Sequence, residues 1–210
     1  ASRYSPWAAE TASKGYITAP GGHRVGLCGV CSVRSGQVQA IRQPDSLCIR
    51  VARDFPGIGD GIPDGGSVLI LGPPGTGKTT LLRDVIRSRS NKECAAVVDE
   101  RGELFPGEAD FLFGRRMDVL TGCGKSEGVE MALRTMGPQV IAVDEITASS
   151  DCEALIHAGW CGVKLLATAH AANLEDLRSR PVYRPLWSSG LFDTLVVMSV
   201  DKTWKLERMT

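Results

Sequence analysis

No apolar run among the 210 residues approaches the roughly 18–20 that a membrane-spanning helix requires. Work at a membrane would therefore mean docking there, not insertion. An excess of one charge is also missing, since 24 basic residues balance 24 acidic ones. No net field draws the chain toward nucleic acid or an anionic bilayer, although a local basic patch is compatible with that balance. The start carries no charged, apolar and small-residue leader, so nothing indicates secretion. Nor does it open on an initiator Met. Ala1-Ser2-Arg3-Tyr4-Ser5-Pro6-Trp7 marks no element boundary, and the expectation is a fragment whose N-terminal portion is missing. Internal repeats are absent as well.

Metal-ligand spacing is sparse. The seven cysteines are an odd number without a signal peptide, which reads as reduced thiols in a cytosol. Cys28-x-x-Cys31 could form half of a zinc site, but zinc takes four ligands and no second CxxC or HxxxH follows. Only Cys48 and His23 lie nearby. The pair belongs instead to a strand pattern that begins Arg24-Val25-Gly26-Leu27-Cys28, and no zinc is expected.

What is present has two textures. Residues 1 to about 60 hold short β-like runs separated by turn residues. Gly15-Tyr16-Ile17-Thr18 and Arg24–Cys28 flank Pro20-Gly21-Gly22 as in a hairpin. Ser46–Arg53 alternates apolar and polar side chains, the pattern of a half-buried strand. A Gly- and Pro-rich linker or turn cluster covers Pro56–Gly66. Beyond it, strands and helices alternate. Strands are predicted at Val68–Leu71, Ala95–Val98, Val140–Val143, Val163–Ala167 and Phe192–Met198, the last paired with Thr203–Leu206. Helices are predicted at Thr79–Arg87, Glu127–Met136 and Asp151–Ala158. Such alternation implies a mostly parallel sheet with helices on both faces.

The chemistry begins with Gly72-Pro73-Pro74-Gly75-Thr76-Gly77-Lys78-Thr79, which fits G-x-x-x-x-G-K-[ST]. Glycines let backbone N–H groups curl around a phosphate without Cβ clashes. The helix that follows points the positive end of its dipole at the same anion. Lys78 suits the β- and γ-phosphates, the Thr79 hydroxyl suits Mg²⁺, and Thr80 is a candidate α-phosphate contact. The loop falls between a predicted strand and a predicted helix, the context this motif needs.

Val140-Ile141-Ala142-Val143-Asp144-Glu145 supplies the second half. An apolar strand delivers two carboxylates to the edge where ligands bind in open α/β sheets. Asp144 suits the metal, directly or through water, and Glu145 suits polarisation of the attacking water. Neighbouring side chains on a strand point to opposite faces, so the two can divide this labour only where the strand ends.

Three further groups are candidates. Asp99, Glu100 and Glu103 end a neighbouring strand and form either a solvated strand end or a second carboxylate set around water and metal. Thr168 and His170 end another strand, where either could sense the γ-phosphate. His157, inside a predicted helix, reads as structural. Arg101, Arg115, Arg116 and Arg134 fall between or beside the acid-bearing strands, where most arginines merely face solvent.

The series GPPGTGKTTLLRD, VVDERGEL, RRMDVLTGC, ALRTMGPQVIAVDEI and LLATAH resembles the stage III sporulation protein AA family of endospore-forming bacteria. Upstream, GYITAPGGHRVGLCG and SLCIRVARD fit the same family, so the likeness covers nearly the whole chain. That family is similar to the secretion and pilus traffic ATPases, which form hexameric rings on the cytoplasmic side of membrane channels. The resemblance implies that Asp99, Glu100 and Glu103 stand at the acidic box of those ATPases, and Thr168 and His170 at their histidine box. It favours Arg115 or Arg116, with Arg115 first, and Arg134 as arginine fingers supplied in trans. Asp144 departs from the traffic ATPases, which often have Gly there, and makes the metal position more like that of RecA or AAA+ proteins.

The reading is an α/β, RecA-like P-loop ATPase core over residues 61–210, preceded by a partial β-rich region over 1–60. Its substrate is ATP with Mg²⁺, and its reaction is in-line attack of water on the γ-phosphate. The resemblance implies a hexameric homo-oligomer, cytoplasmic and peripheral to the membrane on the mother-cell side, with membrane-embedded sporulation channel components as partners. Two other readings stay open. One is a nucleotide-gated interaction module with little turnover. The other is an AAA+ ATPase acting on nucleic acid, against which the neutral charge balance argues.

Overall fold

The computed structural model describes residues 15–208 apart from 20, 22 and 107–110. The described residues form two compact units. The first holds the residues up to Asp54 together with Pro106 and Phe111, and the second holds Phe55–Phe105 and the chain from Leu112 onward.

In the first unit, β1 (Tyr16–Ala19), β2 (His23–Arg34) and β3 (Gln37–Arg50) make an antiparallel sheet in that order. The β1–β2 pairing realises the expected hairpin, with Ile17 opposite Val25. Ser35-Gly36 closes the β2–β3 hairpin with φ of 51° and 75°, the left-handed turn that matches strand twist. Cys28 and Cys31 both fall on β2, on either side of a register shift at Gly29. A Cβ on Gly29 would lie 1.9 Å from the Gln43 carbonyl oxygen, so only glycine tolerates that approach. Of the strand expected at 46–53, residues 46–50 form the end of the longer β3, and 51–53 lie beyond it.

The second unit is a seven-stranded sheet in the order β10-β9-β4-β8-β7-β5-β6. These strands are β4 (Val68–Leu71), β5 (Ala95–Asp99), β6 (Met117–Thr121), β7 (Val140–Ile146), β8 (Lys164–Ala169), β9 (Thr194–Met198) and β10 (Trp204–Arg208). Every neighbouring pair is parallel except β9–β10. The helices are α1 (Lys78–Ser90), α2 (Lys125–Thr135), α3 (Ser149–Trp160), α4 (Leu174–Ser179) and α5 (Arg184–Ser188), with a 3₁₀ turn at Pro181–Tyr183.

Alternation along the strands builds two cores. Leu69, Leu71, Ile141 and Val143 face Val129 and Ala132 of α2 and Leu155 and Ala158 of α3. Val68, Ile70, Ala142 and Leu166 face Leu81, Leu82, Val85 and Ile86 of α1. Leu81, Leu82 and Ile86 are fully buried, and burying each such side chain contributes roughly 1.5–3 kcal/mol. The expected mostly parallel sheet with helices on both faces is the observed architecture.

Two parts of the fold were not expected from the sequence. β6 was not foreseen, because a short edge strand that is half-exposed carries little apolar signal. The short helices between Leu174 and Ser188 were also missed. Of the two readings of the Gly- and Pro-rich segment, the turn cluster is the one observed. Asp84 of α1 accepts from the N–H groups of Gly57 and Gly59 at 3.0 and 2.8 Å. Trp204 Nε1 donates to the Ile58 carbonyl at 3.0 Å.

Candidate functional site

The loop Gly72–Gly77 leaves β4 and enters α1 at Gly77, the helix N-cap. Gly75 and Gly77 adopt φ of 78° and 98°, which side chains resist. Thr76 Oγ1 donates to the Pro73 carbonyl at 2.9 Å and braces the turn. No side chain caps α1 and no acidic residue occupies its first turn, so its leading N–H groups remain open to an anion.

Lys78 is buried at 6% exposure. Its Nζ donates to the carbonyls of Gly72 and Pro73 at 2.8 and 2.9 Å and contacts His170 Nδ1 at 3.1 Å. Burial lowers its pKa below the ordinary lysine value, while the charges of Asp144 and Glu145 act in the opposite direction. An ammonium can only donate, so Nδ1 of His170 accepts and the ring proton sits on Nε2. That nitrogen donates to Glu145 Oε1 at 2.9 Å.

The acidic pair is set by a bulge. Pairing of β7 with β8 shifts register between Val143 and Ile146, and Glu145 takes φ of 56°. A non-glycine residue there carries strain of about 1–3 kcal/mol and needs support from its surroundings. Thr168 on β8 provides it, accepting from the Glu145 N–H at 2.8 Å while donating to Asp144 Oδ1 at 2.7 Å. Thr79 donates to the other oxygen, Asp144 Oδ2, at 2.7 Å. Because β8 lies between β4 and β7, Thr168 and His170 stand between the phosphate loop and the two carboxylates.

Glu145 Oε2 accepts from Arg101 Nη1 at 3.1 Å. Burial by itself would raise the Glu145 pKa. The His170 hydrogen bond and the charges of Arg101 and Lys125 outweigh it and bring the net value below the ordinary one.

The acids at the end of β5 and just beyond it divide. Asp99 is buried and accepts from the N–H groups of Glu103, Leu104 and Phe105 at 2.9, 2.9 and 3.0 Å, the geometry of an internal turn cap. Burial raises its pKa against those bonds. Glu100 pairs with Lys125 Nζ at 2.5 Å. Asp99, Glu100, Arg101, Glu103, Lys125, Asp144 and Glu145 line a small cleft. A larger cleft, between Pro56–Asp64 and the C-terminal half of α1, contains none of the predicted site residues.

The arginines favoured in sequence lie elsewhere. The Arg115 N–H donates to Asn91, just past the C-terminus of α1, and Arg116 Nη1 donates to the Lys92 carbonyl. The 13 residues of α1 span about 20 Å, so this pair sits a full helix length from the phosphate loop. Arg134 occupies the last turn of α2 and bonds the Glu130 carbonyl, also toward the strand N-termini. Arg101 is the arginine of the four that reaches the acidic pair. Its signal in sequence was its place beside Glu100 at the end of a strand. His157, read as structural, pairs with Glu130 across α2 and α3 at 2.8 Å.

The donor set suits a polyphosphate with a hard cation. Among the described residues, no three His, Cys, Asp or Glu converge on one point. A cation beside Thr79 and Asp144 would therefore complete its shell with substrate oxygens and water, as Mg²⁺ does.

The family described as sporulation stage III, protein AA matches residues 1–206, and the chain belongs to that family. It is 39% identical over 208 residues to stage III sporulation protein AA of Bacillus subtilis (strain 168), covering 92% of this chain and 68% of that protein. Among solved structures, the Legionella pneumophila ATPase DotB matches with a TM-score of 0.56 at 20% identity, over 92% of this chain and 57% of that one. The pilus retraction motor PilT with bound ADP matches with a TM-score of 0.59 at 16% identity, over 92% of this chain and 62% of that one. The chain thus spans less than two thirds of either solved chain, and what it shares with them is the RecA-like fold.

Proposed function

We propose that this member of the sporulation stage III protein AA family binds ATP with Mg²⁺ and hydrolyses it. The observation that carries the reading is the convergence of Lys78, Thr79, Asp144 and Glu145 on one strand-end edge, held together through Thr168 and His170. The loop Gly72–Gly77 and the first turn of α1 would cradle the phosphates, with Lys78 exchanging its loop carbonyls for β- and γ-oxygens and Thr80 meeting the α-phosphate. Thr79 and Asp144 would hold Mg²⁺, which when bound would neutralise charge on the phosphates. Glu145 would orient a water and accept its proton as the water oxygen bonds the γ-phosphorus. The bond to the β–γ bridging oxygen breaks, and ADP departs with that electron pair. Glu100, on the wall of the same cleft, is proposed as a second carboxylate near the water and metal.

The family and the fold shared with DotB and PilT support a wider proposal. The chain would assemble as a hexameric ring on the cytoplasmic, mother-cell side of a sporulation channel and drive that channel. Arg115, or Arg134, would then serve a neighbouring subunit's site. Among the described residues no helix is long and apolar enough to cross a membrane. A nucleotide-gated module with little turnover is the second reading, favoured by the engagement of both Glu145 oxygens. Phosphate release from Mg·ATP, with particle size measured in ATP, in ADP and without nucleotide, tests both. Turnover above background with growth in size under ATP is expected. Tight binding without turnover would select the gated module, and no binding would remove both.

A further inference from the structure

Arg101 follows β5 in a tight turn whose backbone is fixed on both sides. Gly102 N–H donates to the Asp99 carbonyl at 3.1 Å, and the Asp99 carboxylate holds the next three N–H groups. The side chain itself is held loosely. It is 52% exposed, and its guanidinium donates to Glu145 at a relatively long 3.1 Å. Exposed ion pairs of this kind are weak and exchange partners readily. A guanidinium also matches phosphoryl oxygens in a bidentate fashion, which the ammonium groups nearby cannot.

The other cations of the site are committed. Lys78 is buried on the loop carbonyls and His170, and Lys125, 7% exposed, is bound to Glu100. Arg115 and Arg134, at the far end of the sheet, could meet only a neighbour's nucleotide. Arg101, by contrast, lies at one end of a continuous relay from Arg101 through Glu145 and His170 to Lys78. The relay passes from Arg101 through the residue meant to activate water and ends on the one meant to grip the γ-phosphate.

We infer that Arg101 is a γ-phosphoryl contact supplied by the same chain. The guanidinium that lies on Glu145 transfers to the γ-phosphoryl oxygens when ATP enters the loop, and the transfer frees Glu145 for the attacking water. One movement thus places positive charge where the transition state spreads negative charge and releases the base. The inference rests on the ATPase reading above.

Binding of ADP alone, and of ADP with aluminium fluoride and Mg²⁺ as a mimic of the transferring phosphoryl, separates the two ideas. Wild-type chain should bind the mimic far more tightly than ADP. Arg101→Ala should keep ADP affinity within about twofold and lose at least about tenfold of the tightening. Its kcat should fall on the order of 10²–10³-fold with KM little changed. Arg101→Lys should recover part of both losses, and Arg101→Gln, which keeps the stem, replaces the alanine variant should that fail to fold. Arg101→Ala that tightens as wild type does would overturn the inference and leave the ATPase reading standing. Wild type that binds ADP without any tightening would also overturn it. Wild type that binds neither form removes the ATPase reading, and the inference with it.

Discussion

The hydroxyl of Thr168 donates to Asp144 Oδ1 at 2.7 Å and, through the same oxygen, accepts the N–H of the residue that follows Asp144. A single buried side chain on β8 therefore orients both acids at the end of β7, including the one whose backbone is left-handed.

Removing that oxygen should hurt twice. Thr168→Val leaves a carboxylate oxygen and a backbone N–H without their partner and should cost about 1–3 kcal/mol of stability. Turnover should fall at least about tenfold, because Asp144 and Glu145 lose their common support. Thr168→Ser should retain most of both. Urea unfolding and steady-state kinetics on the three proteins check this, and equal turnover in wild type and Thr168→Val would remove the orienting role.

Lys78 and Glu145 should separate binding from chemistry. Lys78→Ala loses charge-assisted bonds to phosphate, and Mg·ATP affinity should drop about 10–100-fold. Glu145→Gln should bind within a few-fold of wild type and hydrolyse about 10²–10⁴-fold more slowly, since an amide takes up no proton. Titration with a fluorescent nucleotide and a phosphate-release assay read the two effects. Wild-type affinity in the lysine variant would sink the phosphate-cradle assignment, and wild-type turnover in the glutamine variant would sink the catalytic one.

Asp99 should behave as a structural acid. Its carboxylate caps three N–H groups inside the fold, so Asp99→Ala should cost about 2–4 kcal/mol. At this chain length that corresponds to a Tm lower by on the order of 5–15 °C. Asp99→Asn keeps one acceptor oxygen and should lose less. Unchanged thermal unfolding of Asp99→Ala would contradict the cap.

Arg115 is tested by mixing subunits. Arg115→Ala chains keep their own catalytic groups, and Glu145→Gln chains keep Arg115. Each should be nearly inactive alone, and mixed rings should regain part of the activity where an intact Glu145 meets a neighbour's Arg115. Absence of recovery, with mixed assembly verified by size and mass, would argue against a trans role. A chain that stays monomeric with ATP at micromolar concentration and is fully active would end the ring proposal.

The residues differ in how legible they were. The phosphate loop could be read directly, because a cradle of backbone N–H groups is built from consecutive residues. The central strands were equally plain, since strands buried on both faces are unbroken apolar runs. β6 was obscured by its edge position, where its side chains are only partly covered. Arg115 drew attention by resemblance, whereas Arg101 sat inconspicuously beside an acid. Lys125 gave no sign of the Glu100 partner that the fold brings to it.

Local spacing and alternation specify the loop, the helix that opens from it and the two apolar faces of the sheet. Which distant groups meet is set by the packing of the whole fold. It inserted β8 between β4 and β7, so that His170 bridges Lys78 and Glu145, and it bulged β7 so that two adjacent acids end on one edge. The order of parallel strands is settled by how α1, α2 and α3 cover the two faces of the sheet. That packing sums over the whole chain and leaves no mark on any short stretch of it.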